Sequence, residues 1–277
     1  MVKWSQNHTM VGKVVNIYIM TDTEGISGIF SSDQILEGSS RYMEGRSLLT
    51  EEINACVHAC KEAGADKVYV RDGHGGANMV LQERLTDEAD YYICGRAGDN
   101  IYAGLADCDA VILLGYHAMA GVEGAVLEHT YMSKRVQNYW LDGEKIGEIG
   151  MNAVGVGIYG KPIILVTGDD KACDEAKNII PWAETAQVKK GLTWGGAMLM
   201  PVKKAHKLIA EKTKEAIANI DKMQTLKVPT PFTLRVELIE RALMPTSVGK
   251  PYMKIIDGRT YEVTANTVEE ALTLTKE

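Results

Sequence analysis

Three short apolar runs in this chain end in residues able to bind a metal or move a proton. VVNIYIMTD (Val14–Asp22) leads into Asp22-Thr23-Glu24-Gly25, KVYVRD leads into Asp72-Gly73-His74-Gly75, and DAVILLGY carries Gly115 and Tyr116 into His117. Residues two apart along an extended chain point the same way. Asp22 and Glu24 can therefore aim two carboxylates at one point, and Asp72 and His74 form a similar pair. A turn or helix cap accounts for one such residue, but not for acids and imidazoles at three strand ends. His129 follows His117 by twelve residues, close enough to return to the same edge. Asp, Glu and His without cysteine suit a divalent ion of the zinc, manganese or cobalt type. A carboxylate bridging two such ions about 3.5–4 Å apart would help lower the pKa of a bound water and polarise a scissile carbonyl or phosphoryl oxygen. Spacing alone reaches a metal-assisted hydrolase and no further.

The elements that must carry these residues follow from hydrophobic period. The three runs, with KPIILVTGDD (Lys161–Asp170), have the length and β-branched content of buried strands. Between the first two, Leu49, Ile53, Cys56, Val57 and Cys60 recur at three and four, predicting a helix over 44–63 that stops at Gly64. Short helices are expected at 148–156 and 171–180, and Asp142-Gly143 is a hairpin signal. Strands alternating with helices predict an α/β fold with a mostly parallel sheet flanked by helices. In such sheets ligands bind beyond the carboxyl ends of the strands. After about Trp194 the pattern changes to a polar helix over 202–220, short strands at 232–239, 252–256 and 260–264, and a last helix from Val268. The expected organisation is an N-terminal extension (1–12), a catalytic α/β domain (13–195) and a smaller C-terminal α+β portion (196–277), a candidate for assembly contacts.

Two other motifs carry less. Gly155-Val156-Gly157-Ile158-Tyr159-Gly160 matches GxGxxG but follows a helix and leads into a strand, the reverse of a dinucleotide site. The acids of Gly168-Asp169-Asp170 read as helix caps. His58 and His206 fall on polar or flanking helix positions and His8 in the extension, so these three are read as surface residues. The five cysteines (Cys56, Cys60, Cys94, Cys108, Cys173) form no CxxC and read as small core residues.

Composition bounds the rest. Hydrophobic residues make up 45% and charged residues 24% of the 277, enough for a large core, and the net charge of −7 argues against a nucleic-acid partner. No uncharged apolar run approaches the roughly 20 residues of a membrane span. The first dozen residues lack a signal-peptide core, so the expected compartment is the cytoplasm.

The quoted motifs resemble the DppA-type zinc D-aminopeptidases: DTEGISG (Asp22–Gly28), DGH (Asp72–His74), LGYHA (Leu114–Ala118), His129 in VLEHT, GEIGMNA (Gly147–Ala153) and TGDD (Thr167–Asp170). They occur in the family's order from about Lys13 to Lys190. The resemblance implies two zinc ions per chain held by Asp22, Glu24, His74, His117 and Glu148, with Asp22 as the bridge. It pairs Glu24 with His117 on one ion and His74 with Glu148 on the other. Three carboxylates then set −3 against the +4 of two zinc ions. It also implies that His129 is catalytic; an imidazole, which titrates near neutrality, suits an acid/base or oxyanion-stabilising role there. The family's rings, pentamers of dimers, imply a homo-oligomer, a decamer. Two departures stand out: Glu128 occupies a position where the family often has Ser, and Gly73 replaces a small polar residue. The expected function is a metal-dependent aminopeptidase releasing N-terminal residues, D-Ala among them, from short peptides. The rival readings are a two-metal amidohydrolase or phosphoesterase, disfavoured for phosphate by the lack of a phosphate-cradling loop, and a non-catalytic peptide-binding protein.

Overall fold

A computed structural model describes residues 15–98 and 100–276. The expected extension 1–12, with His8, lies outside them. Along the chain run β1 (Asn16–Thr21), α1 (Tyr42–Glu62), β2 (Lys67–Asp72), β3 (Tyr91–Ile93) and β4 (Ala110–Tyr116). There follow β5 (Val136–Leu141), β6 (Glu144–Ile146), α2 (Glu148–Ile158), β7 (Ile163–Asp169), α3 (Asp170–Ile179), β8 (Glu184–Thr193) and β9 (Gly196–Leu199). The chain ends with α4 (Val202–Ala218), β10 (Phe232–Leu238), β11 (Met253–Ile255), β12 (Thr260–Ala265) and α5 (Val268–Leu274).

Seven strands form one sheet in the order β3-β2-β1-β4-β7-β8-β9, parallel except for the last pair. Its central strands are apolar on both faces because both faces are covered. From β1, Ile17 and Ile19 join Leu49, Ile53, Cys56, Val57 and Cys60 of α1 and Ala205 and Ile209 of α4. Tyr18 and Met20 turn the other way, into a core with Ile149 of α2, Ala172 of α3, and Tyr139 and Phe232 of a second sheet. That second sheet is antiparallel, in the order β11-β12-β10-β5-β6. Strand β10 alternates inward Phe232, Leu234, Val236 and Leu238 with outward Thr233, Arg235 and Glu237.

The α/β class and the mostly parallel sheet are as expected. The two sheets do not divide at residue 195, however. Strand β5 pairs with β10 across nearly a hundred residues of sequence, while β9 extends the first sheet and α4 packs on α1. A hairpin signal is local and does not say which sheet the hairpin joins. The hairpin itself is there: Asp142 and Gly143, at φ +48° and +95°, make its turn. The Gly155–Gly160 segment closes α2 and opens nothing. Strands β3, β8 and β9 are polar or short and gave no sequence signal. Among the described residues no helix is long and apolar enough to cross a membrane.

Candidate metal centre

Parallel pairing sets the strand ends level. Thr21 stands opposite Asp72 of β2 on one side and Leu114 of β4 on the other, so the residues just beyond all three strands share one edge. The approach is close enough to require glycine. A Cβ on Gly25 would lie 2.0 Å from the Tyr116 carbonyl oxygen, and one on Gly73 would lie 2.4 Å from that of Thr21. The second contact explains why this chain has glycine in its Asp-x-His segment.

At that edge His74 Nδ1 stands 3.1 Å from Asp22 Oδ1 and 3.2 Å from Glu24 Oε2. His117 Nε2 stands 3.3 Å from both Asp22 Oδ2 and Glu148 Oε1. Asp22 thus offers one oxygen to each imidazole. Glu148 enters from the first turn of α2, where the β5–β6 hairpin delivers it. The distances group Asp22 and Glu24 with His74, and His117 and His129 with Glu148, which differs from the pairing of Glu24 with His117 and of His74 with Glu148 that the resemblance implied. The reason is topological: β1 lies between β2 and β4, so the two histidines fall on opposite sides of Asp22.

Three atoms here are enclosed yet take part in no well-directed hydrogen bond: Asp22 Oδ2, Glu24 Oε2 and His117 Nε2. Buried polar atoms are nearly always partnered, and a cluster of orphaned acceptors aimed at each other is what an N/O-ligated divalent cation relieves. The second nitrogen of His117 is already fixed, donating from Nδ1 to the Ala118 carbonyl at 2.9 Å. That bond leaves the Nε2 lone pair for the site. Burial works against charge on Asp22, His74 and His117, but their pairing outweighs it. His117 and His74 hold the Asp22 carboxyl well below the usual carboxylate range. Against the same burial, Glu24 and Asp22 hold His74 well above the usual imidazole range, and Glu148 and Asp22 do so for His117. The side chains fit zinc: the acids demand positive charge, which protons supply when metal does not.

His129 completes the edge. Its ring stacks on that of His117, centroids 4.1 Å apart and planes 12° from parallel. Nδ1 donates to the Leu127 carbonyl at 2.9 Å, and Nε2 stands 3.7 Å from Glu148 Oε1. Leu127 and Tyr131, on either side, hold left-handed backbone at φ +52° and +56°, uncommon for such residues. Leu127 N–H donating to the Trp194 carbonyl (2.8 Å) and Tyr131 N–H donating to Glu148 Oε1 (2.7 Å) secure that loop. The site opens into a cavity of about 1240 Å³ that Arg96, Glu128, Lys134 and Trp194 also line. Glu128 accepts from Gly121 N–H at 2.6 Å, which fixes its carboxylate at the cavity wall.

Other residues singled out in the sequence lie elsewhere. Asp72 is not among the grouped ligating residues; its carboxylate accepts from the backbone N–H of Met79 and Val80, anchoring the loop after β2. Asp169 caps α3 through Ala172 N–H, as expected, and also holds Val126 N–H. His58 pairs with Glu62 and Glu88 at the surface, whereas His206 is half-buried rather than exposed. Two supporting residues escaped notice. Glu175 accepts from Met119 N–H, holding the turn after His117. Lys189 of β8 is buried and donates to three backbone carbonyls of the Glu24 turn. Neither sits in a motif, and β8 itself was not legible.

The sequence profile of the peptidase family described as D-aminopeptidase matches residues 15–276. A D-aminopeptidase of Bacillus subtilis (strain 168) is 34% identical over 224 residues, 80% of this chain and 81% of that protein. Among solved structures, the Zn-dependent D-aminopeptidase DppA from Bacillus subtilis, described as a self-compartmentalizing protease, superposes with a TM-score of 0.86 at 30% identity. That superposition covers 94% of this chain and 96% of the other. With the profile spanning both sheets and every strand end that carries the site, the chain belongs to the D-aminopeptidase family.

Proposed function

We propose that this chain is a two-zinc aminopeptidase that removes N-terminal D-residues, D-Ala among them, from short peptides. Family membership supports the metallo-aminopeptidase class. The observation that carries the ion count is the placement of Asp22, with Oδ1 toward the Glu24–His74 group and Oδ2 toward the His117–Glu148 group. In this reading Asp22, Glu24 and His74 hold one zinc, and Asp22, His117 and Glu148 hold the other. When bound, the zinc pair supplies Lewis acidity at the scissile carbonyl and an activated water.

The chain's own residues do the rest. His129 stands beside the ligands without being one. Its ring is nearly parallel to that of His117, so the two in-plane lone pairs run side by side and do not converge on one ion. With Nδ1–H bound to Leu127 O, its Nε2 is free to hold or deliver a proton at the cavity floor. Protonated, it would stabilise the developing oxyanion or pass its proton to the leaving amine. Glu148 orients His129 by fixing the backbone at Tyr131. We further propose a cytoplasmic homo-oligomer, a pentamer of dimers whose enclosed sites admit only short peptides. The relative described as self-compartmentalizing supports that assembly.

Zinc-loaded protein assayed on D-Ala and L-Ala anilides and on a phosphoester, with a chelator control, tests the reaction. Elemental analysis and mass in solution test the ions and the ring. Expected are two zinc per chain, chelator-sensitive release from the D-Ala substrate, and loss of zinc in Asp22→Ala. Phosphoester cleavage alone, or full zinc with no hydrolysis, would refute the peptidase reading.

A further inference from the structure

Glu24 poses a positional problem. Its carboxylate lies in the site, 2% exposed, and Oε2 accepts no hydrogen bond. Its one close side-chain neighbour at that oxygen is His74, at 3.2 Å, so whether the two meet depends on the backbone of the turn that follows β1. That turn has its own difficulty. Glu24, Ile26 and Ile29 are buried. The Ile26 carbonyl has a donor from the turn itself in Ile29 N–H at 3.2 Å, and the buried carbonyls of Glu24 and Ile29 need donors from elsewhere.

Lys189 answers both. It enters from β8, where it stands opposite Asp169 of β7, and it is 2% exposed. Its ammonium donates to the carbonyls of Glu24, Ile26 (2.9 Å) and Ile29 (2.7 Å), which uses all three of its protons. Among the described residues no carboxylate pairs with it directly. A buried ammonium without a direct counter-ion is costly. An apolar residue packed against a turn that satisfied its own carbonyls would be the cheaper solution. The other holds on the turn come from different directions: Gly25 N–H, the far side of the same peptide group, donates to Gly115 O at 2.7 Å, Ser27 N–H donates to Glu52 at 2.9 Å, and Gln34 Nε2 donates to Gly28 O at 3.0 Å. Among the described residues, Lys189 is the one side chain that donates to the Glu24 carbonyl.

We propose that Lys189 is a positioning residue of the metal centre, fixing the Glu24 backbone so that its carboxylate meets His74. The inference rests on the reading of Glu24 as a zinc ligand. It separates geometry from charge: arginine keeps the cation but presents a planar fork that does not fit three carbonyls gathered around one nitrogen.

The test is a zinc competition titration against a chromophoric chelator, on wild type, Lys189→Met and Lys189→Arg, with the absorption spectrum of the cobalt-substituted proteins and circular dichroism as a check on folding. The expected result is two ions in the wild type. In both variants one ion is weakened by about 10–100-fold, the scale for residues that orient ligands, with altered cobalt bands for that ion. The other ion stays within about threefold on the same scale. Wild-type affinities and cobalt bands in Lys189→Met would overturn the inference, and so would an arginine variant that behaves as wild type, since charge would then suffice. Failure of both variants to fold would assign Lys189 to the fold instead and equally overturn it. A wild type that binds fewer than two ions would refute the two-zinc reading itself, a separate outcome.

Discussion

His129→Ala separates catalysis from metal binding. The substitution removes a ring stacked on His117 at 4.1 Å and one hydrogen bond, Nδ1–H to Leu127 O. The stack is worth about 0.5–1.5 kcal/mol and the hydrogen bond about as much. The loss of about 1–3 kcal/mol leaves a domain of ordinary stability, about 5–15 kcal/mol, folded. His117 loses the stacked ring and Glu148 a contact at 3.7 Å, but His117 keeps its bond to Ala118 O and Glu148 its bond from Tyr131 N–H, and the other three proposed ligands keep their partners. Two zinc ions per chain should therefore remain. Loss of a positioned acid/base group lowers turnover by about 10²–10⁴-fold, or about 3–5 kcal/mol of barrier. The assay is release of a chromophore from a D-Ala anilide at saturating substrate, with zinc measured on the same sample. The reduction should appear in kcat with KM little changed. Turnover within about threefold of wild type would refute the catalytic role. Loss of one zinc would show that His129 is a ligand and that the parallel-ring argument fails.

Two further outcomes follow from the packing around the site. Burial pushes the Glu52 carboxyl up to about 7, against its bonds from Ser27 and the nearby Lys189. A carboxyl raised in the folded state helps stability fully below its unfolded pKa of about 4.5 and loses that help as pH rises through about 7. At about 1.4 kcal/mol per unit, Glu52→Gln should gain about 3 kcal/mol relative to wild type between pH 4 and 8 in paired denaturant titrations; a constant difference would refute the buried, raised carboxyl. Gly25→Ala places a Cβ 2.0 Å from Tyr116 O and forces β1 and β4 apart at their ends. It should cost about 1–3 kcal/mol and lower the zinc content while far-ultraviolet dichroism is retained. Full zinc at the wild-type Tm would show that the strand ends have slack.

Much of this centre was readable before any fold was known, because strand ends are local features. The runs ending at Asp22, Asp72 and His117 have strand length, and ligands in α/β sheets gather at such ends. His129 was legible as a histidine a short loop away from His117. Glu148 was not, except by resemblance, because a glutamate in the first turn of a helix is also an ordinary dipole-complementing acid. Asp72 shows the opposite failure. Period two put it beside His74, but its carboxylate instead anchors the loop at Met79 and Val80.

The amino-acid sequence by itself determined the types of the apolar or strongly periodic elements, the burial of the central strands and the residue kinds able to hold zinc, since each depends on period and composition within a few residues; the short or polar β3, β8 and β9 lay outside its reach. Only the tertiary structure decided which acids share which histidine. That follows from β1 lying between β2 and β4, a long-range pairing with no local signature. It also decided that β5 joins β10 rather than the first sheet. And it brought Lys189 across 165 residues of sequence to the carbonyl of Glu24, a contact no spacing rule reaches, because a lysine in a polar strand looks like solvent-facing surface until the buried carbonyls beneath it are seen.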